Sequence, residues 1–153
     1  MPTLSEIMTS EVVYLLPDES VTKAAREMKQ LNVGVIPVCD QEQRVLGVVT
    51  DRDIVLRVVA EGRNPDETRI RDIATMDPIA GQPSWDVAEA IDLMSRNQIR
   101  RLPIVEDGKL IGIVSLGDIS VRANQMGAGT ALEQISEPSM PRRGAIDETD
   151  QTA

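Results

Sequence analysis

The sequence is written twice, and this limits the fold more than any other feature. Sliding it by 66 lays "IMTSEVVYLLPDESVTKAAREMKQLNVGVIPV", from Ile7, on "IATMDPIAGQPSWDVAEAIDLMSRNQIRRLPI", from Ile73. Thr9 then meets Thr75, Pro17 meets Pro83, Ala24 meets Ala90, Met28 meets Met94 and Pro37 meets Pro103. One loop residue is lost, and at an offset of 65 Gly47 meets Gly112, Thr50 meets Ser115 and Asp53 meets Asp118. Identities this regular mark an internal duplication.

Each copy predicts the same elements. A short extended piece (Val12–Leu16; Pro78–Gln82) leads to a Pro-led turn, with Ser20 or Asp86 as helix N-cap. Val21, Ala24, Ala25, Met28 and Leu31 then recur at helical spacing, as do Val87, Ala90, Ile91 and Met94. Two buried strands follow (Gly34–Cys39 with Val45–Thr50; Arg101–Glu106 with Leu110–Ser115), joined by polar turns. A second helix opens at the aspartate motif. In the first copy it runs to about Glu61, where Gly62 stops it. The order β-α-β-β-α, twice, makes this a mixed α/β (α+β) chain. The repeats are placed at 1–62 and 70–124, with a polar linker at 63–69 and a flexible tail at 125–153. Within the tail, "GAGT" reads as flexible, Thr130–Ile135 as one helical turn, and the chain from Ser136 as mobile.

The chain has 153 residues, 41% of them hydrophobic, but no Phe, one Tyr and one Trp, so its core must be aliphatic. A net charge of −9 argues against general nucleic-acid binding, although a local basic cluster can still hold a small anion. With no His, histidine bases and His–Cys zinc sites drop out. Neither a catalytic residue set nor a metal cluster stands at a defensible spacing, so the expectation is a protein that is not an enzyme. Cys39, the only cysteine, reads as a small hydrophobe near a strand end, with a redox-sensing thiol as the alternative. "MPTLSEIMTS" has no basic start or long apolar run, and no stretch reaches the length of a membrane span. The expectation is a soluble, cytoplasmic, bacterial protein with no membrane partner.

The motif "GVVTDRDIV" (Gly47–Val55) returns as "GIVSLGDIS" (Gly112–Ser120). Gly47 permits close packing. Thr50 ends the strand with a hydroxyl, where the free N–H groups of a starting helix favour an anion. Asp53 can accept from a pair of vicinal hydroxyls, as on a ribose. Alternatively Thr50 or Asp51 caps the helix, and Asp53 is a first-turn acid favoured by the dipole. Both readings can hold at once.

Two such repeats, each closed by "G-h-h-[TS]-x-x-D" and carrying "h-P-V/I" on the middle strand, resemble a pair of CBS domains (a Bateman module). The resemblance covers about Leu4 to Arg122, and "TDRDIV" and "RRLPIV" are similar to wording in small stand-alone bacterial CBS proteins. It implies a pseudo-twofold pair with nucleotide in the cleft between repeats. Site A would take Thr50, Arg52 and Asp53 from the first repeat, and Thr75, Pro78, Ile79, Ile99, Arg100 and Arg101 from the second. Site B would take Ser115 and Asp118 from the second repeat, and Thr9, Val12, Val13, Val33, Gly34 and Val35 from the first.

The sites are unequal. Site A gathers arginines, which suit bidentate phosphate contact; site B has Gly34 and Val35 in place of Arg100 and Arg101, and Leu116–Gly117 in place of Asp51–Arg52. An adenosine phosphate is expected in site A, and in site B nothing or something less charged. Strand alternation suggests that only one of the adjacent arginines, Arg101, faces the ligand; both could instead pair with surface acids. Ile79, Ile99 and Leu102 could line an adenine slot or be plain core. Trp85 fits packing or a subunit contact better than base stacking. The implied function is a non-enzymatic sensor of AMP, ADP or ATP, with S-adenosylmethionine or NAD as other candidates and no required cofactor. A homodimer through the apolar helix faces and an unknown protein partner are expected. The first rival is a ligand-free structural or protein-interaction module of the same fold, with a role in stress; the second, disfavoured by the lack of His and of a metal-binding carboxylate cluster, is an enzyme such as a nucleotide hydrolase.

Overall fold

The two long helices begin where a side-chain oxygen replaces the acceptor that a first turn lacks. Ser20 Oγ accepts from Lys23 N at 3.1 Å and Asp86 Oδ1 from Glu89 N at 3.0 Å. In the computed structural model, which describes residues 2–126 and their side chains through 121, these helices are α2 (Val21–Leu31) and α4 (Val87–Asn97). A four-residue helix, α1 (Leu4–Ile7), precedes them. The helical turn expected at Thr130–Ile135, the "GAGT" stretch and the tail from Ser136 lie outside the described residues.

Neither long helix ends on glycine. Asn32 and Gln98, 66 positions apart, both stand at φ 55° and close their helices in the left-handed region. Hairpins follow at once: β1 (Val35–Cys39) with β2 (Val45–Thr50), and β4 (Arg101–Glu106) with β5 (Lys109–Ser115), each antiparallel. The helix after β2 is α3 (Asp51–Ile54), which widens into a π-helical turn over Val55–Val59. Gly62, at φ 67°, stands just beyond it. After β5 comes α5 (Leu116–Met126), which carries helix past the expected repeat limit at 124. The expected extended pieces at 12–16 and 78–82 make isolated parallel bridges, Leu15 to Val38 and Gly81 to Ile104.

The opening segment of each repeat packs in the other repeat's unit. β3 (Thr75–Met76) joins the sheet of β1 and β2, with Gly47 opposite Met76 and Val48 opposite Thr75. Correspondingly, Thr9 exchanges two backbone hydrogen bonds with Ile113 of β5, at 2.9 and 3.0 Å. Ile70, Ile73 and Ala74 therefore lie in the core with Val21, Met28, Ile36 and Val58. Leu4 lies in the other core with Val87, Met94, Ile104 and Ile119. The motif glycines make these crossings possible. A Cβ on Gly47 would stand 2.4 Å from Thr75 O, and one on Gly112 2.4 Å from Met8 Sδ.

The linker is tied down rather than loose. Thr68 O accepts from Val21 N at 2.9 Å and Pro65 O from Thr22 N at 3.3 Å, so the linker satisfies orphan donors at the start of α2. The two hairpin turns also meet. Gln43 O accepts from Leu110 N at 3.0 Å, Gln43 Nε2 donates to Leu110 O at 2.6 Å, and Val45 N donates to Gly108 O at 3.1 Å. The units are thus bonded at the turn end of their strands.

Candidate functional site

At the other end, where β2 and β5 run out into helices, the units enclose a cleft of about 890 Å³. Its wall holds Thr50, Arg52, Thr75, Pro78, Ile79, Ile99, Arg100 and Arg101, eight of the nine residues expected in site A. It also holds Val33, Gly34, Val35 and Ser115 from the expected site B. The two candidate sites share one hollow.

The remaining expected residues stand off this wall. Asp53 is 7% exposed and lies behind it. Its Oδ2 accepts from Thr50 N at 3.0 Å, while Thr50 Oγ1 accepts from Asp53 N at 3.0 Å. This reciprocal pair is a capping box, the structural alternative weighed for the motif. Thr75 Oγ1 donates to the same carboxylate at 3.3 Å, and Arg57 Nε stands 3.9 Å from Asp53 Oδ1. Asp118 repeats the box, accepting from Ser115 N at 2.9 Å. Thr9 is held by its backbone pairing with Ile113; Val12 and Val13 belong to the neighbouring stretch, Val13 with its side chain exposed. In accepting from the helix, Thr50 Oγ1 still keeps its own proton to donate toward the cleft.

Arg100 and Arg101 both line the cleft, against the expectation that only Arg101 would. Alternation fails between them because β4 begins at Arg101. Arg100 lies before the strand, where its carbonyl accepts from Leu116 N at 2.8 Å. Among the described residues, no ion pair joins Arg52, Arg100 or Arg101 to a carboxylate. Three guanidinium groups therefore front one hollow with their donors free.

Sequence reasoning passed over Asn32, Gln98 and Asp77, all of which line the cleft, as Asp51 does. The signal for the first two was their matched position just after each helical pattern. Asp51 was grouped with the arginine side, yet its carboxylate packs on Gly34: a Cβ there would lie 2.9 Å from Asp51 Oδ2. Of the candidate adenine-slot residues, Leu102 is fully buried core, while Ile79 and Ile99 reach the cleft. Trp85 packs against the second core. Burial, with Asp40 adding to it, pushes the Cys39 thiol up to about 12, which keeps it protonated and unreactive near neutrality.

The family model of the CBS domain matches residues 4–60 and 70–122. The chain belongs to the CBS domain family. CBS domains are in general regulatory, non-catalytic modules. The CBS domain-containing protein YhcV of Bacillus subtilis (strain 168) is 43% identical over 144 residues, covering 92% of this chain and 99% of that protein. Among solved structures, CBSX2 in complex with AMP is similar at a TM-score of 0.71 and 27% identity, over 83% of this chain and 99% of that one. The CBS domain pair of protein MJ0100, in complex with 5-methylthioadenosine and S-adenosyl-L-methionine, shares the fold at a TM-score of 0.71 and 23% identity, over 82% and 98%. The chain is thus a CBS pair, and these two structural neighbours hold adenosine-bearing ligands.

Proposed function

We propose that this CBS pair is a non-enzymatic regulatory module that binds an adenosine phosphate (AMP, ADP or ATP) in the cleft between its repeats. The observation that carries this reading is that Arg52, Arg100 and Arg101 line one cleft, with no carboxylate among the described residues paired to them. Guanidinium groups bind phosphate oxygens in pairs, and the Thr50 hydroxyl adds a neutral donor. Ile79 and Ile99 offer apolar surface for the base. AMP in the similar CBSX2 structure supports the same ligand class. Asp53, behind the wall, holds Thr50 and Thr75 in place.

The module works as a homodimer in the bacterial cytoplasm. Val55, Leu56 and Val59 on the helix after β2, and Val121 on α5, are 45–68% exposed and form the apolar helix faces for a second copy. Filling the cleft changes how units or subunits sit together, to the extent that the ligand prefers one arrangement.

Calorimetry with AMP, ADP and ATP, then with S-adenosylmethionine and NAD, tests the reading. Binding of at least one adenosine phosphate is expected, weakened roughly tenfold or more when Arg100→Ala and Arg101→Ala are combined. An absence of heat and of any thermal shift at millimolar nucleotide would favour the ligand-free interaction module.

A further inference from the structure

Asp51 and Leu116 hold equivalent places, each the first residue of the helix that follows a motif strand. Each is tied by its amide to the stretch before the middle strand of its own repeat. Asp51 N donates to Gly34 O at 2.9 Å, and Leu116 N to Arg100 O at 2.8 Å. In the second repeat this sets an apolar side chain beside two arginines. In the first it sets a carboxylate against glycine. A Cβ on Gly34 would meet Asp51 Oδ2 at 2.9 Å, and Asp51 Oδ1 accepts from Arg52 N at 2.8 Å, which fixes the aim of the group. The cleft walls therefore differ twice over. One has gained cations at Arg100 and Arg101; the other, Val33–Val35, has gained an anion.

We propose that Asp51 makes the half of the cleft between Val33–Val35 and Ser115 reject phosphate and accept an adenosine ligand whose 5′ substituent is neutral or cationic. The inference rests on the adenosine reading above. A phosphate in that half would face the Asp51 carboxylate, with no side chain on Gly34 to shield it and no side-chain donor on Val35. Such a like-charge approach is how a site refuses the wrong partner. A hydroxyl or thioether is spared the repulsion, and a sulfonium or ammonium gains a partner. Asp51 is exposed, so the discrimination weakens as salt rises.

Calorimetry at low salt on the whole chain, with AMP and adenosine as probes, tests this. The wild type should bind AMP at one site and then, saturated with AMP, still take up adenosine at a second. Asp51→Asn keeps the shape and the acceptor for Arg52 N. It should take a second AMP at least about tenfold more tightly than the wild type does, a gain that shrinks in about 0.5 M salt. An unchanged thermal midpoint shows that the variant is folded. Two AMP sites of similar affinity in the wild type, no adenosine uptake after AMP, or an unaltered second site in Asp51→Asn would each overturn the inference and leave the AMP reading standing. Silence toward every adenine ligand would overturn both.

Discussion

Cys39 is fully buried at the end of β1, and its acidity follows from that position. Its folded pKa is raised from 9.0 to about 12, so the native state holds the proton more tightly than the unfolded chain does. The resulting stability is complete below pH 9 and is lost as pH climbs toward 12. Denaturant titrations across that range should show stability falling for the wild type and falling less for Cys39→Ala. A thiol reagent at pH 8 should label Cys39 only as fast as the protein opens. The hydrophobe reading of this residue was legible from its place in an apolar strand. The role of Asp53 was less so. A carboxylate three residues after a threonine fits a cap or a ribose equally well, and only the packing shows that it caps, behind the wall. The packing of Asp51 on Gly34 was not legible for a related reason: spacing places a residue on the chain but does not aim its side chain.

The paired elements test the account at a larger scale. Helical periodicity made α2 and α4 legible, and alternation with turn residues made the hairpins so. Their N-caps at Ser20 and Asp86 fall where the chemistry of a first turn requires. The exchange of opening segments was not legible, because nothing in a repeat says which copy its edge strand will join. Two short pieces of similar pattern are interchangeable until three-dimensional packing distinguishes them. The glycines record the outcome. Gly47→Ala must push Thr75 off β2, since its Cβ would lie 2.4 Å from a backbone oxygen. A loss of about 1–3 kcal/mol is expected by urea denaturation, from overpacking against backbone that cannot swing away. Gly108→Ala, whose Cβ would meet nothing within 4 Å, should cost only the strain of its φ of 80°. Equal losses at the two positions would contradict the close-crossing account.

For the molecule as a whole, the exchange makes the two units one cooperative body. Leu4 is fully buried in the core built mainly by the second repeat. Leu4→Ala should therefore destabilise by about 2–5 kcal/mol, as a core cavity does, although it lies at an end of the described chain. Its unfolding should remain a single transition, measured by circular dichroism and by Trp85 fluorescence together. The helix faces make a separate prediction. Val59 is 68% exposed, and Val59→Asp should halve the mass seen in sedimentation while leaving the monomer folded. A wild type that already sediments as a monomer would remove the homodimer from the proposed function.

The crossing of Leu4 into the second core also has a consequence for synthesis. A ribosome delivers the chain in N-to-C order, so Leu4 emerges about a hundred residues ahead of Ile104 and Ile119, with which it shares a core. The first repeat likewise lacks Ile70 and Ile73 until the linker has left the exit tunnel. Until then, apolar side chains at the leading end have no place to bury, and pausing in the second half would prolong that interval. The first repeat's leading helix thus finds its place only once the second repeat has been made, because Leu4 is held in that repeat's core.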